Sequence, residues 1–308
     1  MNILVTGGSG FVGSCITEYL SQKGQTLIVP TRSLLGCWRL ESRENITIIE
    51  GDMKDAAFQK RLFTQYKPQV IIHAAWDGMT RDKREDPSQI NNLMLTESLL
   101  RLTTAFGCPL FIGFGSQAEY GVYNKEISED FPTNPDNLYG VYKLTAGLLG
   151  KWYAAKYGFN FAWLRLFSSF GPKDMENYII PYAIRSFLKA ETPRFSDCEQ
   201  CWDYLYVKDI ARMVAQVIDK KDKFCDIYNL SSSESFRLRV IIETLKDLTQ
   251  AKVQPQFGVL PQNPNGLMYL KGNNQKFQQT FGRQHFTPLR QALEETVGWY
   301  AKHSQSNP

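Results

Sequence analysis

Apolar residues in the first half of the chain fall in short unbroken runs, each followed by a longer stretch where they recur every three or four positions. The runs at 3–6, 27–30, 46–50, 70–74, 110–114 and 161–167 show no apolar–polar alternation and read as strands buried on both faces. Helix-like stretches begin near Gly13, Ala56, Pro87 and Leu138, and Gly24 and Gly107 stand where left-handed residues close helices. Strand–helix alternation of this kind predicts an α/β fold with a parallel, doubly wound sheet.

The regularity stops after Phe167. A Ser/Gly/Pro-rich stretch leads to a helix over 179–189 and a polar loop at 191–200. A strand–helix unit resumes at 204–207 and 209–220, and 226–230 adds one more strand. Helices near 239–249 and 289–303 flank a Pro/Asn/Gln-rich loop. Two insertions that together cover the C-terminal edge of the sheet account for this pattern.

The chain has 308 residues and a net charge of +4, room for one large domain or two lobes sharing a cleft. That charge suits a mildly anionic ligand and excludes the basic stripe of a nucleic-acid binder. No apolar stretch is long enough to cross a bilayer, and M-N-I-L-V-T lacks the basic lead-in of a secretory signal. A cytoplasmic protein with no membrane partner is therefore expected. The cysteines are scattered, and Cys15, Cys108 and Cys225 are expected inside helices or strands as reduced thiols. Cys198 and Cys201 form a C-x-x-C, but with no second pair and no cluster among His73, His285 and His303, no metal site is expected.

The first strand runs into Thr6-Gly7-Gly8-Ser9-Gly10-Phe11-Val12-Gly13. Glycines at 7, 10 and 13 permit a tight turn, close approach to a pyrophosphate and close helix–strand packing. The next helix points its free N–H groups at the same place. Lying between strand and helix, this loop makes a dinucleotide the expected cofactor, with Gly7, Gly10, Phe11, Val12 and Gly13 against it. NAD sites usually carry an acid after the second strand; here V-P-T-R-S at 29–33 has none. Thr31, Arg32 and Ser33 suit a 2′-phosphate, so NADP(H) is favoured over NAD(H). Asp52 and Met53 follow the third strand within reach of the adenine, and Ala74, Ala75 and Trp76 end the fourth on residues the cofactor can approach. Residues 1–168 plus 203–231 thus read as a Rossmann-type NADP-binding domain, and 169–202 plus 232–308 as a smaller mixed α/β substrate-binding lobe.

Tyr139 and Lys143 stand four apart, on one face of a helix. Tyr19/Lys23 and Tyr204/Lys208 share that spacing, and a structural reading suffices for both. Tyr139 differs because its helix follows Ser116, which stands two residues past the run at 110–114 in F-G-S-Q-A-E-Y-G. With these residues the sequence resembles the extended short-chain dehydrogenase/reductase family, the NAD-dependent epimerase/dehydratase superfamily that acts on nucleotide-activated sugars. The resemblance rests on T-G-G-S-G-F-V-G, G-D at 51–52, H-A-A-W at 73–76, Asn92 with Thr96, and S-Q-A-E-Y-G at 116–121. Y-G-V-Y-K at 139–143, L-R-L-F-S-S-F-G-P at 164–172 and W-D-Y-L-Y-V-K-D at 202–209 continue it, and it is loose beyond Leu230. It implies a catalytic set of Ser116, Tyr139 and Lys143, and adds Asn92, Phe167, Tyr139 and Lys143 to the cofactor contacts. The chemistry agrees: a free tyrosine titrates near 10, so a neighbouring ammonium is needed to mobilise its proton. Ser116 would hydrogen-bond the substrate oxygen, with Tyr139 as general acid.

Dehydratases that resemble this chain read T-D-E-V-Y-G. Aligned on Tyr120-Gly121, Gln117 and Ala118 replace the acids, which excludes elimination of water. Glu119 falls at the valine position and is expected to face away from Ser116. Arg32 then favours reduction over epimerisation, because a reductase exchanges NADPH each turnover whereas a 4-epimerase retains NAD. The motifs look most like nucleotide-sugar 4-ketoreductases of deoxysugar and polysaccharide pathways, including those making CDP-abequose. The expected activity is NADPH-dependent reduction of a nucleotide-linked 4-keto-6-deoxy sugar. The alternatives are an NAD-dependent nucleotide-sugar 4-epimerase and, from another class, a non-enzymatic NADP-binding sensor. Ser116 and Gln117 are expected to face the substrate, as are Ser168, Tyr178 and Trp202, which replace Asn, Asn and Arg of related epimerases. That arginine grips the diphosphate, so Arg185 or Arg194 would have to take over. Relatives form homodimers through the helices after strands four and five, where Leu93, Leu99, Leu100, Leu148 and Leu149 could form the face or lie in the core.

Overall fold

The computed structural model describes residues 1–261 and 266–303. Residues 262–265, in the Pro/Asn/Gln-rich loop, and 304–308, at the end of the expected second lobe, lie outside the described residues. The first half holds β1 (Asn2–Thr6), α1 (Phe11–Gln22), β2 (Thr26–Thr31), β3 (Ile46–Glu50), α2 (Ala56–Tyr66), β4 (Val70–His73), α3 (Ile90–Ala105) and β5 (Leu110–Ser116). It continues through β6 (Glu126–Ile127), α4 (Leu138–Tyr157), β7 (Asn160–Leu166) and β8 (Ser168–Phe170). There follow α5 (Ile179–Leu188), β9 (Cys201–Trp202), β10 (Tyr204–Tyr206), α6 (Val207–Asp219), β11 (Cys225–Leu230) and β12 (Phe236–Arg237). The chain then forms α7 (Leu238–Thr249), β13 (Tyr269–Gly272), α8 (Gln275–Phe281) and α9 (Leu289–His303).

The seven-stranded sheet runs β11-β7-β5-β4-β1-β2-β3 and is parallel throughout. Its strands carry unbroken apolar runs because helices cover both faces. Ile16 and Leu20 of α1 and Ile210, Val214 and Val217 of α6 pack on one face. Phe58 and Phe63 of α2, Leu99 and Leu100 of α3, and Ala146 and Ala154 of α4 pack on the other. Strand order reverses between β1 and β4, and in a doubly wound sheet the ligand crevice opens at the strands' C-terminal ends at such a point. Thr6 pairs with His73, His73 with Gly113, and Ser116 with Leu166, which levels those ends. The fold is thus a Rossmann-type α/β sheet joined to a smaller mixed part.

In the smaller part α5, α7 and α9 enclose Ile184, Phe187, Ile241, Ile242, Leu245 and Leu293. A mixed sheet β12-β9-β13-β6 and the parallel pair β8/β10 also lie outside the large sheet. The strand–helix unit expected at 204–220 forms, but its strand pairs with β8 outside the large sheet. Gly24 and Gly107 close α1 and α3 with φ of 76° and 63°. One local expectation fails: Cys108 lies in the turn before β5, outside any helix or strand. Among the described residues, no helix is long and apolar enough to cross a membrane.

The turn at 173–174 joins three separate segments. Lys173 Nζ reaches Glu18 Oε1 (2.9 Å) and the Arg39 carbonyl (2.7 Å), and Arg39 Nε donates to the Lys173 carbonyl (2.8 Å). Tyr300 of α9 donates to the Asp174 carbonyl (3.0 Å). Burial pushes the Asp174 carboxyl up to about 7, against the Met175 N–H and the nearby Arg39 charge. A carboxyl raised above its unfolded value adds stability below pH 4 that is lost as pH rises through about 7. Asp174→Asn should therefore gain stability relative to the parent protein between about pH 4 and pH 7, with a flat difference below that window; urea denaturation across pH measures it.

Candidate active site

A groove of about 370 Å³ opens at the ends of β1, β2 and β4, lined by Gly7, Gly10, Thr31, Ser33, Asp52 and Trp76 among others. Two glycines of the loop that forms it leave no room for a side chain. Gly7 has φ 71°, and a Cβ there would stand 2.6 Å from the Ala75 nitrogen. A Cβ on Gly13 would meet the Gly7 carbonyl at 2.1 Å. Gly10 caps α1 without a side-chain hydrogen bond, so the first-turn N–H groups stay open to an anion. Phe11 and Val12 are half-buried against the hydrophobic clusters behind this turn. The cradle and the open helix end fit the pyrophosphate of a dinucleotide.

His73 lies beneath the groove, its Nδ1 2.7 Å from Thr6 Oγ1 and its Nε2 3.0 Å from Thr96 Oγ1. Burial, with the Lys143 charge, pushes it down to about 3, so it stays neutral and ties β4 to β1 and α3. Asn92, expected to touch the cofactor, lines the groove with its amide already used. It accepts from the Asp77 N–H (2.8 Å) and donates to the Asp77 carbonyl (3.0 Å), pinning the loop after Trp76. Arg32, expected to await a 2′-phosphate, donates from both terminal nitrogens to Asp77, at 3.2 and 3.1 Å.

Ser116, Tyr139 and Lys143 meet beside Trp76. Ser116 is the last residue of β5, and Tyr139 and Lys143 lie on the first turns of α4, which Asn137 starts by accepting from the Gly140 N–H. The Ser116 side chain hydrogen-bonds that of Tyr139. Lys143 Nζ donates to the Phe114 carbonyl (2.5 Å) and stands 3.8 Å from the Trp76 ring centre, and Trp76 meets Tyr139 edge-on. Desolvation pulls Lys143 down to about 7, with Glu119 pulling the other way. Desolvation raises Tyr139, against the Ser116 hydrogen bond and the charge of Arg84. The sequence assigned the charge that eases Tyr139 to Lys143; in the structure the cation that favours its ionised form is Arg84, whose guanidinium lies 5.1 Å from the Tyr139 ring. A cation in the irregular segment before α3 has no motif around it, so nothing in the sequence singled it out.

Glu119, expected to face away from Ser116, instead folds its carboxylate back onto the Ser116 backbone, and it is fully buried. There it accepts from the Ser116 N–H (2.8 Å), Trp163 Nε1 (2.9 Å) and Arg165 Nε (2.7 Å). With Ser116 Oγ accepting from the Ala118 N–H, this makes a capping box around the turn 117–119. Gln117 lies on that turn, half-buried.

The expected substrate residues are not all brought together. Trp202 spends its indole N–H on the Leu267 carbonyl (2.7 Å), closing the small sheet. Arg194 is exposed and bridges to Gln256, and Arg185 is paired with Glu176 (2.5 Å). Tyr178 opens α5 within range of the Arg84 charge. Ser168 begins β8 beside Tyr204, and Phe167 is buried with Tyr120 and Leu270. Leu99 and Leu100 are core; of the five leucines proposed for a dimer face, Leu148 is exposed.

The sequence model of the NAD dependent epimerase/dehydratase family matches residues 3–231. The chain is 24% identical to a UDP-glucose 4-epimerase of Halalkalibacterium halodurans, over 98% of this chain and 96% of that one. The fold is that of the UDP-glucose 4-epimerase of Thermotoga maritima solved with UDP-glucose, with TM-score 0.89, 23% identity, and 99% and 100% of the two chains covered. It is also that of the Thermus thermophilus UDP-glucose 4-epimerase solved with NAD, with TM-score 0.84, 21% identity, and 97% and 99% covered. These names overturn the 4-ketoreductase expected from the sequence. That expectation leaned on an unpartnered Arg32, and the pairing with Asp77 removes its basis.

Removing the Glu119 carboxylate leaves Arg165 buried without its counter-charge. Glu119→Ala should cost about 3–5 kcal/mol of folding stability, read from urea midpoints. Replacing both partners by apolar residues (Glu119→Leu with Arg165→Met) should restore most of the loss.

Proposed function

Because the chain belongs to the NAD dependent epimerase/dehydratase family, we propose that it is an NAD-dependent nucleotide-sugar 4-epimerase. The observation that carries the reading is the meeting of Ser116, Tyr139 and Lys143 beside a glycine-floored groove, with Gln117 and Ala118 where elimination would need carboxyls. Relatives named as 4-epimerases of UDP-glucose support a UDP-sugar as substrate, and the complex of one of them with NAD supports that cofactor.

Gly7, Gly10 and the start of α1 would hold the pyrophosphate, and Lys143 the nicotinamide ribose. When bound, NAD would supply the hydride acceptor and donor for C4. Tyr139 takes the proton of the C4 hydroxyl and later gives it back. Burial favours the neutral phenol, so the Ser116 hydrogen bond and the charges of Arg84 and Lys143 must offset desolvation for Tyr139 to act as a base. Ser116 also holds the C4 oxygen in place. Hydride is conserved within one sugar, so no cofactor is consumed.

The protein is further proposed to work as a homodimer. Met94 of α3 and Val141, Leu148 and Trp152 of α4 are exposed, and the last three share a helical stripe. A second copy laid on this stripe would remove that apolar area from water.

Three outcomes test these readings. UDP-glucose, UDP-N-acetylglucosamine or UDP-glucuronate incubated with the protein should convert to the 4-epimer without added cofactor, followed by chromatography; no inversion of any of them sinks the assignment. Tyr139→Phe should lower turnover about 10²–10⁴-fold while bound dinucleotide, measured after extraction, stays unchanged. Sedimentation should show a dimer that Trp152→Asp dissociates; a monomeric parent protein at micromolar concentration rejects the interface.

A further inference from the structure

A carboxylate stands at the adenosine end of the groove, but it does not come from the usual strand. The acid that NAD sites carry after the second strand is absent, and Arg32 occupies the end of β2. Both terminal nitrogens of Arg32 rest on Asp77, in the loop after β4. Asp77 is fixed from behind: its N–H and C=O are held by the buried Asn92 side chain, and the next residue, Gly78, accepts from Gln89 Nε2 at 2.7 Å. Gln89 in turn accepts from Trp76 Nε1 at 2.9 Å. Lys54 Nζ lies 3.9 Å from the second Asp77 oxygen, and Asp52 lines the same stretch of groove.

We propose that Asp77 selects NAD over NADP, standing in for the missing β2 acid and keeping Arg32 from a 2′-phosphate. The inference rests on the dinucleotide-binding part of the functional reading. The ion pair alone is not the source of selection, because both side chains are more than half exposed and such pairs are weak. Charge balance is. Arg32 and Lys54 face Asp52 and Asp77 around one pocket wall, two cations against two carboxylates. A phosphate drawn to Arg32 would have to share the guanidinium with a carboxylate already on it, like charge against like. An unmodified ribose brings hydroxyls instead, which a carboxylate accepts as hydrogen-bond donors. Removing the Asp77 charge frees Arg32 and leaves the wall net positive.

Equilibrium binding of NAD and of NADP to protein stripped of its bound dinucleotide, followed by quenching of tryptophan fluorescence, tests this in the parent protein and in Asp77→Asn. The parent protein should bind NAD more tightly, and Asp77→Asn should move the affinity ratio toward NADP by about tenfold or more. Adding Arg32→Ala to Asp77→Asn should abolish that gain. A parent protein that binds NADP at least as tightly as NAD overturns the proposal, and so does an unchanged ratio in Asp77→Asn. The readout is binding, so the absence of sugar inversion would defeat the epimerase reading without touching this result.

Discussion

Behind the reacting edge of the large sheet lies the Glu119 carboxylate, shut off from water, and the geometry of that edge follows from how it is satisfied. An isolated buried carboxylate is far too costly to keep. Here Arg165 supplies the opposite charge, while Trp163 and the Ser116 N–H supply further donors. Those donors sit on β7 and at the tip of β5, so neutralising one charge also joins two strands and ends β5 at a fixed place. Gly115 fits this arrangement because a Cβ there would meet Glu119 and Trp163 at 2.4 Å. The serine that meets the substrate oxygen in the proposed mechanism is therefore set from behind, by a residue that touches no substrate.

The same lack of water governs the acid–base groups in front. Desolvation pushes Lys143 toward neutrality and Tyr139 toward its protonated form. Lys143 is thereby held near the point where an arriving charge decides its state, while Tyr139 is held protonated. The indole of Trp76 touches both and also lines the dinucleotide groove, so the groove and the proton-transferring groups share a wall. His73, in contrast, is buried between two threonine hydroxyls and serves as a neutral pin.

Much of the large sheet was legible from residue order. Unbroken apolar runs can only be strands covered on both faces, and the glycine loop after the first of them has few structural alternatives. Ser116, Tyr139 and Lys143 were legible for the same reason, each lying at the end or start of an element whose position the runs already implied. The short strands β6, β9, β12 and β13 were not, since two to four residues carry no period and form only when the chain brings partners alongside. α8 escaped for a related reason: it is a single short segment, anchored by Phe277 and Phe281 against Tyr228 and Phe224.

Arg32 marks the boundary between the two kinds of knowledge. The sequence by itself determined the doubly wound sheet, the glycine cradle and the lack of dehydratase acids at 117 and 118, because each depends on local residue type and spacing. It could not determine what faces Arg32, since Asp77 reaches it from the loop after another strand and only the folded order β4-β1-β2 brings the two together. Charge interactions depend on distance in space, and a chain carries no record of that distance until it folds. The same holds for Glu119, read from the strand pattern as a side chain turned aside, and given a partner only by the pairing of β5 with β7.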